Sequence, residues 1–227
     1  AMCADVLESF AEGFGYRVGL FAVTLVAAIP HGIIVALCSI TKFKHVRWLT
    51  KVFIWVVRGT PLLLQIIVVT FIPSTVFLLA NKDLADFFGV SIVGLNFIFA
   101  AVAFIINYSA YFAEIFRGGI EGIPRGQHEA AQALGMKRGQ TFFRIILPQV
   151  VKRILAPISN EVITLVKDTS LARVIGVTEL FMVAYNVVTT EAIIWPLFFA
   201  GLYYLLFNGI LTILFHAAEK KLSYYTV

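Results

Sequence analysis

The chain has 227 residues, 60% of them apolar, 14% aromatic and only 14% charged, with a mean hydropathy of +0.91. Soluble domains are about half apolar and about a quarter charged, so that class is excluded and an all-α integral membrane protein is expected. The net charge of +5 does not point to nucleic acid, because the cations gather in three places: Lys42, Lys44, Arg47 and Lys51; Arg117, Arg125, Lys137, Arg138, Arg144, Lys152 and Arg153; and Lys220 with Lys221. Loops rich in Lys and Arg stay in the cytoplasm, which predicts the N-terminus outside, the C-terminus inside and an odd number of spans.

A helix needs roughly 20 apolar residues to cross the hydrocarbon core. The first span is expected over about 18–40, with a kink at Pro30 and with His31 satisfying a carbonyl that the proline frees. This stretch is too long for a signal h-region, so no cleavable signal is expected. The second span is expected over about 52–80 and the third over about 92–116, joined by an outer turn that contains Lys82, Asp83 and Gly89. A loop over about 117–148 follows, then a fourth span over about 145–166 and a fifth over about 193–218. The chain thus reads as one transmembrane domain over 1–227 with five helices. The fourth span is anomalous: thirteen residues separate Arg153 from Lys167, with Pro157 and Glu161 among them. They cover roughly 20 Å, so the helix either begins near Ile145 or stops at depth in a polar turn. The stretch 171–190 is only moderately apolar and reads as a re-entrant or outer-surface helix.

The loop is polar yet helix-prone. Pro124 suits a first helical position, Gln127 to Leu134 is rich in helix formers, and Gly135 can take the left-handed conformation that ends a helix. Lys137 to Leu147 can form a second helix closed by Pro148, which makes a knob of two helices and an elbow; the plainer alternative is an amphipathic helix lying on the headgroups.

Glu129-Ala130-Ala131-Gln132-Ala133-Leu134-Gly135, followed after nine residues by Ile145-Ile146-Leu147-Pro148, resembles the EAA loop of the membrane subunits of bacterial ABC importers. Arg58-Gly59-Thr60-Pro61-Leu62-Leu63 resembles a signature of the polar amino-acid uptake branch of these permeases, similar to its histidine, glutamine and arginine permeases. The segment from Asn160-Glu161 through Lys167-Asp168-Thr169-Ser170-Leu171 to Glu179-Leu180 is similar as well. The resemblance implies a type I importer permease of the bacterial inner membrane. Its implied partners are a dimer of cytoplasmic ABC ATPases, a second permease copy or paralogue, an extracellular solute-binding protein, an amino-acid substrate and the lipid bilayer. It further implies that the knob seats in the ATPase, with Leu134, Met136 and Phe142 as an apolar plug around Ala130 and Ala131. Glu129, Lys137 and Arg138 would form the polar rim, with Gly135 at an elbow that a β-carbon would obstruct. Glu129 has a duller alternative, holding the elbow through nearby backbone N–H groups.

No G-x-x-x-x-G-K-[ST] loop is present, so this chain binds no nucleotide by that route, and ATP with its Mg is expected in the partner. HExxH, G-x-S-x-G and clustered His/Asp are also lacking, so no catalytic or metal-ligating residue is assigned. Ionisable residues at membrane depth are functional suspects. The substrate-pathway candidates are Arg58, Glu114, Lys167 and Asp168, with Thr60, Gln65, Asn107 and Tyr111 as polar neighbours. Asn107, Tyr111 and Glu114 recur at helical spacing and share one face. Each has a plainer reading: Glu114 pairs with Arg117, Glu161 holds a helix pair, Lys167 and Asp168 pair at the outer surface, and Gly59-Thr60-Pro61 breaks the helix beside Arg58. An ion-coupled secondary amino-acid transporter is the competing class; it would need a coupling-ion site, and no clear one is apparent.

Overall fold

The computed structural model describes the backbone of residues 2–177 and 180–222 and the side chains from residue 13 onward within those stretches. Glu179, which carries part of the family resemblance, lies outside the described residues. Among the described residues there are helices and no strand. The long helices are α1 (Met2–Ser39), α5 (Ile92–Glu121), α8 (Leu147–Asp168) and α10 (Trp195–Leu222). The shorter ones are α2 (Lys44–Gly59), α3 (Leu62–Thr75), α4 (Asn81–Phe88), α6 (Arg125–Ala133), α7 (Arg138–Thr141) and α9 (Leu180–Glu191).

Helix α5 is the axis of the bundle. Ser91 caps it, its hydroxyl accepting from the Gly94 N–H at 3.1 Å, and Phe104, Tyr108 and Phe112 stack inward along it. Helix α1 lies along α5 on a stripe of small residues, Ala28, Gly32 and Ala36, one turn apart and all buried. A β-carbon at Gly32 would stand 2.8 Å from Phe112 Cβ, so the two backbones meet there with no room for a side chain. Lipid tails are as apolar as leucine, so helices in a membrane associate by this close packing rather than by hydrophobic expulsion. Helix α1 runs on through Pro30, and His31 Nδ1 bonds the Ala27 carbonyl at 2.7 Å, next to the carbonyl that Pro30 leaves without a donor.

The second expected span, 52–80, is not one helix. It is broken into α2 and α3, which meet at 108°. The cause is local. Pro61 cannot donate to the preceding turn, and its ring forces Thr60 into extended backbone (φ −115°, ψ 142°).

The fourth span begins early, as one of the two sequence readings requires. From Arg138 the path is helical through α7, a π turn (Phe142–Ile146) and α8, then tightens into a 3₁₀ segment (Thr169–Ile175). Pro148 therefore does not close the second loop helix, contrary to expectation. Lacking an N–H and crowding the carbonyl four residues back, it sits in the first turn of α8, and the turn before it widens so that the Leu147 N–H reaches the Phe142 carbonyl. In 171–190 the chain forms the 3₁₀ segment and then α9, whose Leu180, Val183 and Ala184 pack on Ala200 of α10. Helices α1 (over Gly13–Ser39), α5 and α10 are each long and apolar enough to cross a membrane. If each bent pair, α2–α3 and α7–α8 with α9, is one span, the described helices make up to 5.

Candidate functional site

Two polar regions stand out, a knob at one end of α5 and a cavity beside the α2–α3 break. In the knob, α6 begins at Arg125 with Pro124 just before it as the N-cap residue, one residue later than expected. It ends in a Schellman motif: the Met136 N–H bonds the Ala131 carbonyl at 3.0 Å and the Gly135 N–H bonds the Gln132 carbonyl at 2.9 Å. Gly135 has φ +72°, while a β-carbon there would meet nothing within 4 Å. The elbow needs glycine for its backbone conformation, not for lack of space, which corrects the sequence argument. The next turn is opened by Gln140, whose side chain accepts from the Lys137 N–H at 2.9 Å.

This main-chain closure leaves the side chains outward. Glu129, Ala130, Lys137 and Arg138 are exposed, Ala131 is buried beneath the elbow, and Met136 is half-buried. Leu134 is 81% exposed. Glu129 has no hydrogen-bond or ion-pair partner among the described residues, so the elbow does not depend on it. Phe142 packs against the bundle core, whereas Phe143 is 67% exposed. The π turn sets that phase, and the outward member of the Phe142–Phe143 pair was not legible without it.

The cavity has a volume of about 550 Å³. Helix α2 and the break supply Arg58 and Thr60, α5 supplies Asn107, Tyr108 and Tyr111, and α8 supplies Glu161, Thr164 and Asp168. The break is fastened by Gln65, whose amide donates to the Val57 carbonyl at 2.8 Å, the Thr60 carbonyl at 3.1 Å and Thr60 Oγ1 at 2.8 Å. Its oxygen accepts from buried Asn107 at 3.0 Å, which ties the break to α5. The Tyr108 hydroxyl donates to Asp168 Oδ2 at 2.8 Å and ties α5 to the end of α8.

A second cavity of about 530 Å³ adjoins the first at Arg58, Gly59 and Tyr111 and is bounded by Lys51, Trp55, Glu114 and Arg117. Arg58 stands at the junction, its guanidinium 5.2 Å from the centre of the Tyr111 ring and 3.9 Å from Glu114. Arg117 holds Glu114 and Glu121 together, so the plainer reading of Glu114 as an ion-pair partner is realised, although it still lines the second cavity.

Of the sequence candidates, Arg58, Thr60, Asn107, Tyr111 and Asp168 are brought together, and Gln65 acts as the fastener rather than as lining. Lys167 points away: it is exposed and lines neither cavity. Thr164 is new, and Glu161 moves from suspect to lining. Glu161, Thr164 and Asp168 recur at i, i+3 and i+7, the same face logic that grouped Asn107, Tyr111 and Glu114, and that signal was available.

Residues 28–224 match the family model of binding-protein-dependent transport system inner membrane components. The chain is 36% identical to the arginine transport system permease protein of Bacillus subtilis, over 93% of this chain and 91% of the relative. It is 33% identical to the L-cystine transport system permease protein of the same organism, over 94% and 86%. A crystal structure of an amino acid ABC transporter with histidines superposes with a TM-score of 0.79 at 27% identity, covering 97% of both chains. The MetNI methionine ABC transporter in an inward-facing conformation shares the fold, with a TM-score of 0.69 at 14% identity and 98% coverage of both chains.

Proposed function

Since this chain belongs to the family of binding-protein-dependent transport system inner membrane components, we propose that the cavity at the α2–α3 break holds an amino acid in transit. The chain is a multi-pass inner-membrane permease subunit of an amino-acid ABC importer. The observation that carries the cavity assignment is the placing of one arginine opposite two carboxylates in a volume of about 550 Å³, inside the roughly 300–1,000 Å³ of small-molecule sites. Every α-amino acid has a carboxylate and an ammonium. Arg58 can take the carboxylate through paired N–H donors. Glu161 and Asp168 can take the ammonium, with Tyr108 orienting Asp168 and with Asn107, Thr60 and Thr164 as neutral partners. Two carboxylates against one guanidinium also suit a side chain that is itself cationic.

In this reading α6 and α7 face the cytoplasm and seat in a groove of a partner ATPase, which hydrolyses ATP and holds its Mg. Leu134 and Phe143 enter the groove, while Glu129, Lys137 and Arg138 meet its rim. A second permease copy or paralogue completes the pathway, and an extracellular solute-binding protein delivers the amino acid. Closure of the ATPase dimer moves the knobs, and the packed helices swing between outward-open and inward-open states. The N-terminus lies outside, the C-terminus inside, and each bent pair serves as one of five spans.

The test is uptake and ATP hydrolysis in proteoliposomes containing this chain, its neighbouring ATPase and the binding protein, across a panel of amino acids. The expected result is ATP-dependent uptake of one polar amino acid, lost on Arg58→Gln while the complex still assembles. Uptake that ignores ATP and follows an ion gradient would reject this reading in favour of a secondary carrier.

A further inference from the structure

Arg17 on α1 is 3% exposed, in a helix long and apolar enough to cross a membrane. A charged side chain this deeply buried is costly unless it is paired. It lies outside both cavities, and its guanidinium carbon sits 3.5 Å from the centre of the Tyr204 ring on α10, with Phe14, Phe21 and Phe207 around it. Its Nη2 donates to the Val166 carbonyl at 3.3 Å, across 149 residues of sequence.

That carbonyl belongs to the last turn of α8. The same oxygen accepts the Thr169 hydroxyl at 2.8 Å, just where the α-helix tightens into the 3₁₀ segment. Two residues on from Val166 is Asp168, whose carboxylate lines the cavity and accepts from Tyr108. One turn of chain is therefore pinned behind by Arg17 and presents Asp168 in front.

We infer that Arg17 is a positioning residue of the transport pathway, which holds the end of α8 against α1 and α10 so that the Asp168 carboxylate stays aimed into the cavity. This rests on the cavity reading above. A planar cation suits the task, since one face stacks on Tyr204 while an edge N–H reaches the carbonyl; the ammonium of lysine can bond the carbonyl but cannot stack in the same way.

The test compares Arg17→Gln, Arg17→Lys, Asp168→Asn and the Arg17→Gln/Asp168→Asn double variant in proteoliposomes with the ATPase and the binding protein. The probe is whichever of L-arginine, L-cystine and L-glutamine the unsubstituted complex takes up fastest. Arg17→Gln is expected to raise the half-saturating concentration about tenfold with the maximal rate within about twofold, and Arg17→Lys to recover part of the loss. The double variant is expected to be no worse than Asp168→Asn alone, because both single changes remove one function. Independent, multiplying effects, or a change confined to the maximal rate, would overturn the role of Arg17. If Asp168→Asn leaves uptake unchanged, or none of the three probes is taken up, the cavity reading fails first and this inference with it. Should Arg17→Gln not assemble, Tyr204→Leu removes the stacking platform while keeping the guanidinium; it is expected to raise the half-saturating concentration several-fold, and an unchanged value would overturn the proposal.

Discussion

In the knob the main chain closes on itself through the Schellman bonds at Ala131 and Gln132, and Glu129, Lys137, Leu134 and Phe143 are left exposed. At the cavity the main chain is broken, and side chains hold the helices: Gln65 to the Thr60 turn, Asn107 to Gln65, Tyr108 to Asp168. A surface held by backbone can change its side chains and keep its shape, as a face that meets a partner requires. A site held by side chains couples shape to occupancy, because a ligand that competes for one of those bonds loosens the joint it belongs to.

Five substitutions would break or sharpen this contrast. The largest effect is expected of Gly135→Val, which forces a β-branched residue into φ +72° at a local cost of about 1–3 kcal/mol; ATP-driven uptake should fall more than about tenfold while the complex still purifies, and near-normal uptake would show that the elbow is dispensable. Gln65→Leu strands Asn107 and unfastens the break, at about 1–3 kcal/mol; a melting temperature lowered by several degrees, about 2–4 °C per kcal/mol, is the check. Tyr108→Phe removes one hydrogen bond to a carboxylate, worth about 1.5–3 kcal/mol; the half-saturating substrate concentration should rise roughly tenfold, and the melting temperature should fall by about 2–4 °C per kcal/mol. The last is a pair. Phe143→Ala should leave the melting temperature alone and weaken ATPase association, measured by co-purification. Phe142→Ala, on the core side, should do the reverse.

How much of this the sequence carried differs residue by residue. The left-handed Gly135 followed from a glycine after a run of helix formers, because that signal is local. Asn107, Tyr111 and Glu114 followed from helical spacing, and Glu161, Thr164 and Asp168 obey the same spacing on α8. The break in the second span was half-visible: Gly59-Thr60-Pro61 was recognised as a breaker, yet an unbroken apolar run over 52–80 argued for a straight helix, and hydropathy is blind to direction. The π turn hid the outward face of Phe143, since any phase counted at 3.6 residues per turn fails after it. The stripe of Ala28, Gly32 and Ala36 carries little sequence signal, because small apolar residues at i, i+4 and i+8 look like any other part of an apolar run. Arg17 lay beyond local reasoning altogether, its carbonyl partner being 149 residues away.

The continuity of α7, the π turn and α8 has a mechanical consequence. From Arg138 to Asp168 the chain is one helical rod, at about 1.5 Å per residue roughly 45 Å long. It has the knob at one end and a cavity carboxylate at the other. Such a rod is a lever arm: a tilt of about 10° at the knob carries the far end through roughly 8 Å, more than the reach of a hydrogen bond. The widened turn at Phe142–Ile146 lies within it, next to the knob. On the coupling proposed above, a modest tilt at the knob becomes a larger displacement at the cavity carboxylate.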